Sequence, residues 1–416
     1  MRKHALIRAL SIALATTSCT TWTQAAPFYF GMGTHIGQNK LSTAEAMSLY
    51  SLGGFNSLRD EAYWHRIERE KDQLVYPSSL TDLEATIGRI RKSGGSPMIA
   101  LDYNNTFYDL GDIPNTDTGI EGFTRYARFV ASHFKGSVPL YEVWNEWNIG
   151  LGSNRKPRTI RPVADYIRLL RPTMEAVRAI DPTSKLIAGS VAGPDDKWID
   201  EFIAQGGLKG IDGFSVHPYV YQRPSGQNRP EDANDWLAKL SAKLTAANQG
   251  RPMDIYVTEI GWPNHQDKTG WTENQTADFL LRFHLLVRAQ PTIRGVWWYE
   301  LRNSGKDPME KEHNFGLVTK DLGVKPAFKA LKVAVSLLSE GSKVSVSNPA
   351  KGVFKAQINT GQEQCTAYWA REGQVNYTIP ARDLTGRLAW GVLPEEKAET
   401  QTVVTETPLI TCRPGA

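Results

Sequence analysis

From residue 28 to about 340, short apolar runs alternate with longer stretches whose apolar positions recur every three or four residues. The short runs are FYFGMGTH (28–35), FNSLRD (55–60), PMIALDYN (97–104), VPLYEVWNEW (138–147), KLIAGSVAG (185–193), IDGFSVHPY (211–219), MDIYVTEIGW (253–262) and IRGVWWYE (293–300). Several are nearly continuous Val, Ile, Leu and aromatic residues, the pattern of strands covered on both faces. Helical stretches lie between them. LSTAEAMSLYSLG opens with Ser42 and Thr43 as caps and closes in glycine. LTDLEATIGRIRKSGG sets Leu83, Ile87 and Ile90 on one stripe and stops at Gly94-Gly95. FTRYARFVASHF, VADYIRLLRPTMEAVRAI, DKWIDEFIAQGG, DANDWLAKLSAKLTAANQG and ENQTADFLLRFHLLVRAQ follow the same logic. KPAFKALKVAVSLLSE, opened by Pro326, follows the eighth run. Strand and helix repeated eight times predict an α/β architecture, a (β/α)₈ TIM barrel over residues 27–340. An open doubly wound sheet is the alternative.

After Glu340 the helical period is lost. KVSVSN, GVFKAQIN, CTAYWAR, VNYTIP, RLAWGVL and TQTVVTET alternate, separated by turn signals such as NPAKG and NTGQ. Residues 341–416 therefore read as a small C-terminal antiparallel β domain, sandwich-like and too short for a core of its own, so it should pack on the barrel. At the other end, residues 1–26 carry the pattern of an export signal. A basic start, MRKHALIR, precedes the apolar ALSIALA and a polar stretch ending in small residues. Cleavage near Ala25 or Ala26 is expected, with a periplasmic or secreted product. Thr16-Thr17-Ser18-Cys19 is similar to a lipoprotein box, so an outer-membrane form anchored at Cys19 is the alternative. No later run is apolar and long enough to span a bilayer. Cys365 and Cys412 then remain, and an even pair in an exported chain predicts a disulfide.

Composition adds two exclusions. With 41% hydrophobic and 22% charged residues, the 416-residue chain is an ordinary globular protein. Its formal charge of +4 includes Arg2, Lys3 and Arg8 of the first 26 residues, so the remainder is close to neutral. That gives no electrostatic case for nucleic acid. Aromatics are abundant, with twelve Trp and fifteen Tyr, residues whose polar tips suit half-exposed sites. A barrel of this kind works at the C-terminal ends of its strands. Polar residues there are few, and aromatics crowd them. Two carboxylates among flat aromatic faces point to a sugar site, because two carboxylates suffice to cleave a glycosidic bond. Glu146, in Trp144-Asn145-Glu146-Trp147 at the fourth strand, and Glu259, in Thr258-Glu259-Ile260-Gly261-Trp262 at the seventh, form the candidate pair.

These residues resemble those of clan A glycoside hydrolases, whose acid/base and nucleophile glutamates end strands four and seven. Asn145-Glu146 is similar to the clan's Asn-Glu acid/base motif, and Glu259 in VTEIGW to its nucleophile. Arg59 fits the arginine that supports the nucleophile, His217 and Tyr219 the His/Tyr positions, and Trp298 the platform tryptophan. The chain most resembles family 39 and related endoglycosidases of bacterial exopolysaccharide clusters, sharing the stretch HNFGLVTKDLGVKPAFKAL (313–331). Trp147 stands where a proline often follows the Asn-Glu pair.

The resemblance implies a retaining mechanism with Glu146 as acid/base and Glu259 as nucleophile. It further implies that Asn145 holds the sugar 2-OH, and that His35, Asn104, His217, Trp262 and Trp298 line subsites. A β-linked polysaccharide or oligosaccharide is the expected substrate, with no cofactor or metal and a monomeric chain. An exo-acting β-xylosidase-like enzyme and a non-catalytic carbohydrate-binding barrel are the alternatives. Gly31-Met-Gly33-Thr-His-Ile-Gly37 has the wrong spacing for a dinucleotide loop. Glu310-Lys311-Glu312-His313 reads as a solvated loop and Glu142 as a buried structural partner, while Glu300 and Asp102 are the rival acids.

Overall fold

The computed structural model describes residues 27–393 and 402–415. The export signal, its cleavage site and Cys19 lie outside the described residues. Eight parallel strands close a barrel in chain order: β1 (Tyr29–Gly33), β2 (Ser57–Glu61), β3 (Met98–Leu101), β4 (Leu140–Val143), β5 (Lys185–Ala192), β6 (Gly213–His217), β7 (Ile255–Ile260) and β8 (Ile293–Trp298). Alternate side chains point into the barrel. Tyr29, Met98, Leu140, Ile187, Tyr256 and Trp297 fill its interior as one apolar cluster. The Trp297 indole explains the glycine opposite it: a Cβ on Gly31 would lie 2.2 Å from that ring. Gly37 is held by a second close approach, its Cβ position lying 2.2 Å from the Glu61 carbonyl oxygen. Gly31 and Gly37 of GMGTHIG are thus packing glycines.

The expected helices surround the barrel, at Thr43–Gly53, Thr81–Lys92, Asp117–His133, Val163–Ile180, Asp196–Ala204, Pro230–Ala247, Glu273–Arg288 and Pro326–Leu338. The third begins earlier than its apolar stripe, because Thr116 caps it by accepting from the Gly119 N–H at 3.1 Å. No helix among the described residues is long and apolar enough to cross a membrane.

The C-terminal unit has a five-stranded antiparallel sheet of β9 (Lys343–Ala350), β10 (Val353–Asn359), β11 (Glu363–Ala370), β13 (Arg387–Trp390) and β15 (Leu409–Pro414), in the order β13-β15-β11-β10-β9. A two-stranded sheet joins β12 (Gln374–Tyr377) to β14 (Thr402–Thr405). β15, next to Pro408, was not among the alternating runs. The inner face of the larger sheet, including Ile358, Ala367, Trp369 and Ile410, joins the barrel's own core. Polar ties fix the contact: Trp369 Nε1 donates to Glu231 at 2.8 Å, and Thr407 Oγ1 to Asp278 at 2.6 Å. This covers the outside of helix Glu273–Arg288, which is why that helix is buried almost all round. Cys365 and Cys412 face each other across β11 and β15 as a disulfide spanning 47 residues, worth ~4 kcal/mol in the chain-entropy model.

Candidate active site

The mouth of the barrel is shaped by departures from regular strand geometry. Strict alternation in β7 turns Tyr256 and Thr258 inward. A register shift between Val257 and Ile260 then brings Glu259 to the mouth as well, as bulges beside active sites do. β5 shifts between Ala188 and Val191. After β4 the backbone turns through left-handed conformations at Trp144 (φ 68°) and Glu146 (φ 51°). Those turns bury Trp144 in the core and deliver Glu146 to the cleft.

Arg59, nearly fully buried at the end of β2, holds three partners. Its Nε donates to Glu142 at 2.7 Å, Nη1 to Glu259 Oε1 at 2.7 Å and Nη2 to Asn145 Oδ1 at 3.1 Å. Burial pulls the guanidinium pKa down, but Glu142, Glu259 and Glu61 outweigh it, leaving Arg59 well above its ordinary value. The Tyr219 hydroxyl donates to Glu259 Oε2 at 3.0 Å, so both oxygens of that carboxylate have donors. His217 Nδ1 lies 2.9 Å from Glu146 Oε1 and 3.6 Å from Glu259 Oε2. Its Nε2 sits 3.1 Å from both Ser190 Oγ and Thr258 Oγ1. One oxygen of Glu146 and one of Glu259 lie within 4.8 Å of each other. Glu142 is enclosed beneath them: burial raises its pKa, but Arg59 and His217 more than reverse this, so it stays an ionised support.

Burial lowers the His217 pKa, yet Glu259 and Glu146 outweigh it and the net shift is upward. A raised folded pKa contributes stability in full below the unfolded value, and that contribution is lost as pH rises through the folded value. The stability gap between wild type and His217→Gln should therefore be widest in mild acid and shrink as the pH climbs past neutrality. Melting temperatures across that range check it; a gap that widens with pH would contradict the assignment.

The cleft above this network has a volume of ≈650 Å³. His35, Asn145, Glu146, Tyr219 and Glu259 line it, with Arg59 and His217 hydrogen-bonded directly beneath. Three expected lining residues are elsewhere. Asn104 is tied into the loops, its Nδ2 donating to the carbonyls of Gly111 at 2.6 Å and of Gly152. Trp298 follows the inward Trp297 and so points outward, fully buried against Trp262 with ring centroids 5.9 Å apart. Trp262 itself is buried, donating to the Asn228 carbonyl at 2.9 Å. The cleft's flat faces are instead Tyr63, Tyr103, Tyr219, Tyr221, Tyr299 and Phe315. The rival acids do not reach it: Asp102 is wholly enclosed, and Glu300 is buried with Oε2 3.3 Å from His35 Nε2.

Sequence reasoning missed several cleft residues. Lys311 and Glu312, read as part of a solvated loop, line it, as do Arg158 and Gln38. Glu61 also lines it, and strand parity was the available signal: it lies two residues after Arg59 on β2. Its Oε2 accepts from Tyr63 at 3.3 Å. Burial raises its pKa, but His35 and Arg59 outweigh that and hold it low. Glu146, His217 and Glu259 are also close enough together to offer a cation three ligand atoms. The comparable set of Glu363, Cys365 and Cys412 has its sulfurs joined in the disulfide.

A family model described as cellulase (glycosyl hydrolase family 5) matches residues 23–299. No curated protein matches the chain. Among solved structures, a family 39 glycoside hydrolase from the gut symbiont Bacteroides cellulosilyticus WH2 has a TM-score of 0.76 at 23% identity, over 93% of this chain and 81% of that one. A monomeric β-xylosidase from Caulobacter crescentus CB15 has a TM-score of 0.61 at 17% identity, over 86% and 78%. GH5_18 from Streptomyces cattleya, solved with GlcNAc, has a TM-score of 0.59 at 18% identity, over 75% and 81%. These likenesses show a fold shared with family 39 and family 5 enzymes. By its barrel and by the family model covering most of its length, the chain belongs to the cellulase family, glycosyl hydrolase family 5, and is a glycoside hydrolase with the clan A fold.

Proposed function

We propose that this enzyme cleaves a β-linked polysaccharide internally, with bacterial exopolysaccharide as the first candidate, by double displacement with retention. The observation that carries this reading is the approach of Glu146 and Glu259 to within 4.8 Å, oxygen to oxygen. Retaining glycosidases hold their carboxylates ~5–5.5 Å apart, whereas inverting ones leave ~6.5–9.5 Å for a water. Glu259, aimed by Arg59 and Tyr219, attacks the anomeric carbon. Glu146 protonates the leaving oxygen, then deprotonates the water that releases the sugar. Asn145 accepts from Arg59 and from Ser190 at 3.1 Å and donates to Tyr103 at 2.6 Å. That fixes its amide and leaves one N–H for the 2-OH. Tyrosine and phenylalanine faces stack on sugar C–H surfaces. Action as a monomer, without a cofactor, belongs to this reading. Export to the periplasm or medium does too, supported by the pattern of residues 1–26 and by a disulfide of the kind oxidising compartments retain.

Glu146→Gln should cost kcat roughly 10²–10⁴-fold on substrates with poor leaving groups and little on aryl glycosides whose leaving group needs no proton. Equal losses across a leaving-group series would argue against the acid role. The function itself is tested by reducing-end release from a panel of bacterial and plant polysaccharides, with Glu259→Gln beside the wild type. Oligosaccharides of mixed length from wild type only are expected. Single sugars would indicate an exo-acting enzyme, and binding without turnover a carbohydrate-binding barrel.

A further inference from the structure

The pairing register of the C-terminal sheet assigns each side chain to a face. Lys343 pairs with Asn359, Asn359 with Gln364 and Gln364 with Arg413, so these four form one cross-strand row. Ser345, Gln357, Thr366 and Thr411 form the next row on the same face. The intervening residues, such as Ile358, Cys365 and Cys412, face the barrel and join its core. Together with the turn Ala381–Asp383 the outer face lines an open, solvated groove of ≈560 Å³ that shares no lining residue with the cleft at the barrel mouth.

The charge in this groove is one-sided. Among the described residues, Lys343, Lys355, Arg382 and Arg413 line it against a single acid, Asp383. Asp383 already has partners: Lys355 Nζ donates to it at 2.9 Å and the Tyr368 hydroxyl at 2.7 Å. Burial raises its pKa, but these donors outweigh that and keep it ionised. Lys343 and Arg413 make no ion pair among the described residues. They bracket the row across three interstrand steps, about 14 Å at the usual strand spacing. Between them lie only short hydroxyl and amide side chains. Among the described residues no aromatic ring lines the groove, in contrast to the cleft, so none of them stacks on a neutral sugar there.

We propose that this face is a second polysaccharide-binding site, selective for a polymer that carries carboxylates. Lys343 and Arg413 would pair with its carboxylates, while Gln357, Gln364 and Thr366 hydrogen-bond its hydroxyls. The choice of occupant rests on charge complementarity together with the row of neutral donors and acceptors between the two cations. The inference goes beyond the reaction at the barrel mouth, and its test needs no turnover.

The test is isothermal titration of the full chain carrying Glu259→Gln with polygalacturonate, a neutral glucan and duplex DNA, at two salt concentrations. The expected result is binding of polygalacturonate that weakens with salt. Affinity should fall roughly tenfold in Lys343→Glu/Arg413→Glu, and by less in Lys343→Gln/Arg413→Gln. Unchanged melting temperatures in both variants would show that the sheet is intact. Three results would overturn the proposal: unchanged polygalacturonate affinity in both double variants, neutral-glucan binding that falls as much as polygalacturonate binding in the charge-reversed variant, or DNA bound as tightly as the polyuronate. A failure of the catalytic reading would appear instead as turnover in Glu259→Gln, so the two outcomes remain separable.

Discussion

Glu259→Gln is expected to lower kcat by roughly 10⁴–10⁶-fold, the scale of losing a covalent nucleophile, while the protein melts as wild type does. The substitution is nearly isosteric. Its amide oxygen can still accept from Arg59, as Oε1 does at 2.7 Å, so the fold keeps that contact. The amide nitrogen that replaces Oε2 faces the Tyr219 hydroxyl, which can reverse and accept. What disappears is the anionic oxygen that forms the bond to the anomeric carbon. Substrate binding should persist, because the aromatic walls and the Asn145 amide are untouched. Wild-type turnover in this variant would remove Glu259 from the mechanism; an unfolded variant would show that its charge is structural instead.

The largest effect on stability is expected from Arg59→Met. Arg59 is the only cation hydrogen-bonded to either Glu142 or Glu259 among the described residues. Removing it strands two carboxylates that water barely reaches. Breaking a buried pair of this kind costs about 3–5 kcal/mol, since the surviving charge is left uncompensated. Arg59→Lys should recover little, because one ammonium cannot span the three directions to Glu142, Glu259 and Asn145. The sign with pH follows from Glu142, whose folded pKa is depressed in the presence of Arg59. A depressed carboxylate contributes stability above its unfolded pKa and loses it as pH falls through the folded one. The gap between wild type and Arg59→Met should thus be greatest near neutrality and narrow in acid. Denaturant midpoints over that range check this, and a gap under about 1 kcal/mol at neutral pH would contradict it.

The barrel was legible because its two periods alternate cleanly, with strands buried on both faces and helices striped on one. The candidate pair stood out because Glu146 and Glu259 end strands in Trp-containing runs, and the structure brings both to the cleft. Side-chain direction was less so. The family resemblance cast Trp298 as a platform, yet alternation along β8 sends it outward beside Trp262 and leaves the mouth to Tyr299. Glu61 was hidden by its neighbours in the run Arg59-Asp60-Glu61, although it shares a face with Arg59. Asn104, Lys311 and Glu312 lie on loops, where no period reports which side faces the cleft. For Lys311 and Glu312 the path of the chain after β8 decides that, through contacts such as Asn314 Nδ2 donating to the Glu310 carbonyl at 2.7 Å. In the C-terminal unit β15 escaped notice beside Pro408, while its partner strand β11 stood out through the apolar residues it presents to the barrel.

Double displacement by Glu146 and Glu259 would leave its mark on the configuration of the product. Proton NMR of the anomeric centre in the first product, recorded before mutarotation on whichever substrate the panel identifies, tests it most directly. The approach of the two carboxylates to within 4.8 Å predicts that the newly released reducing end has the same anomeric configuration as the bond that was cut. An initial product of opposite configuration would mean a single displacement by water and would contradict the account.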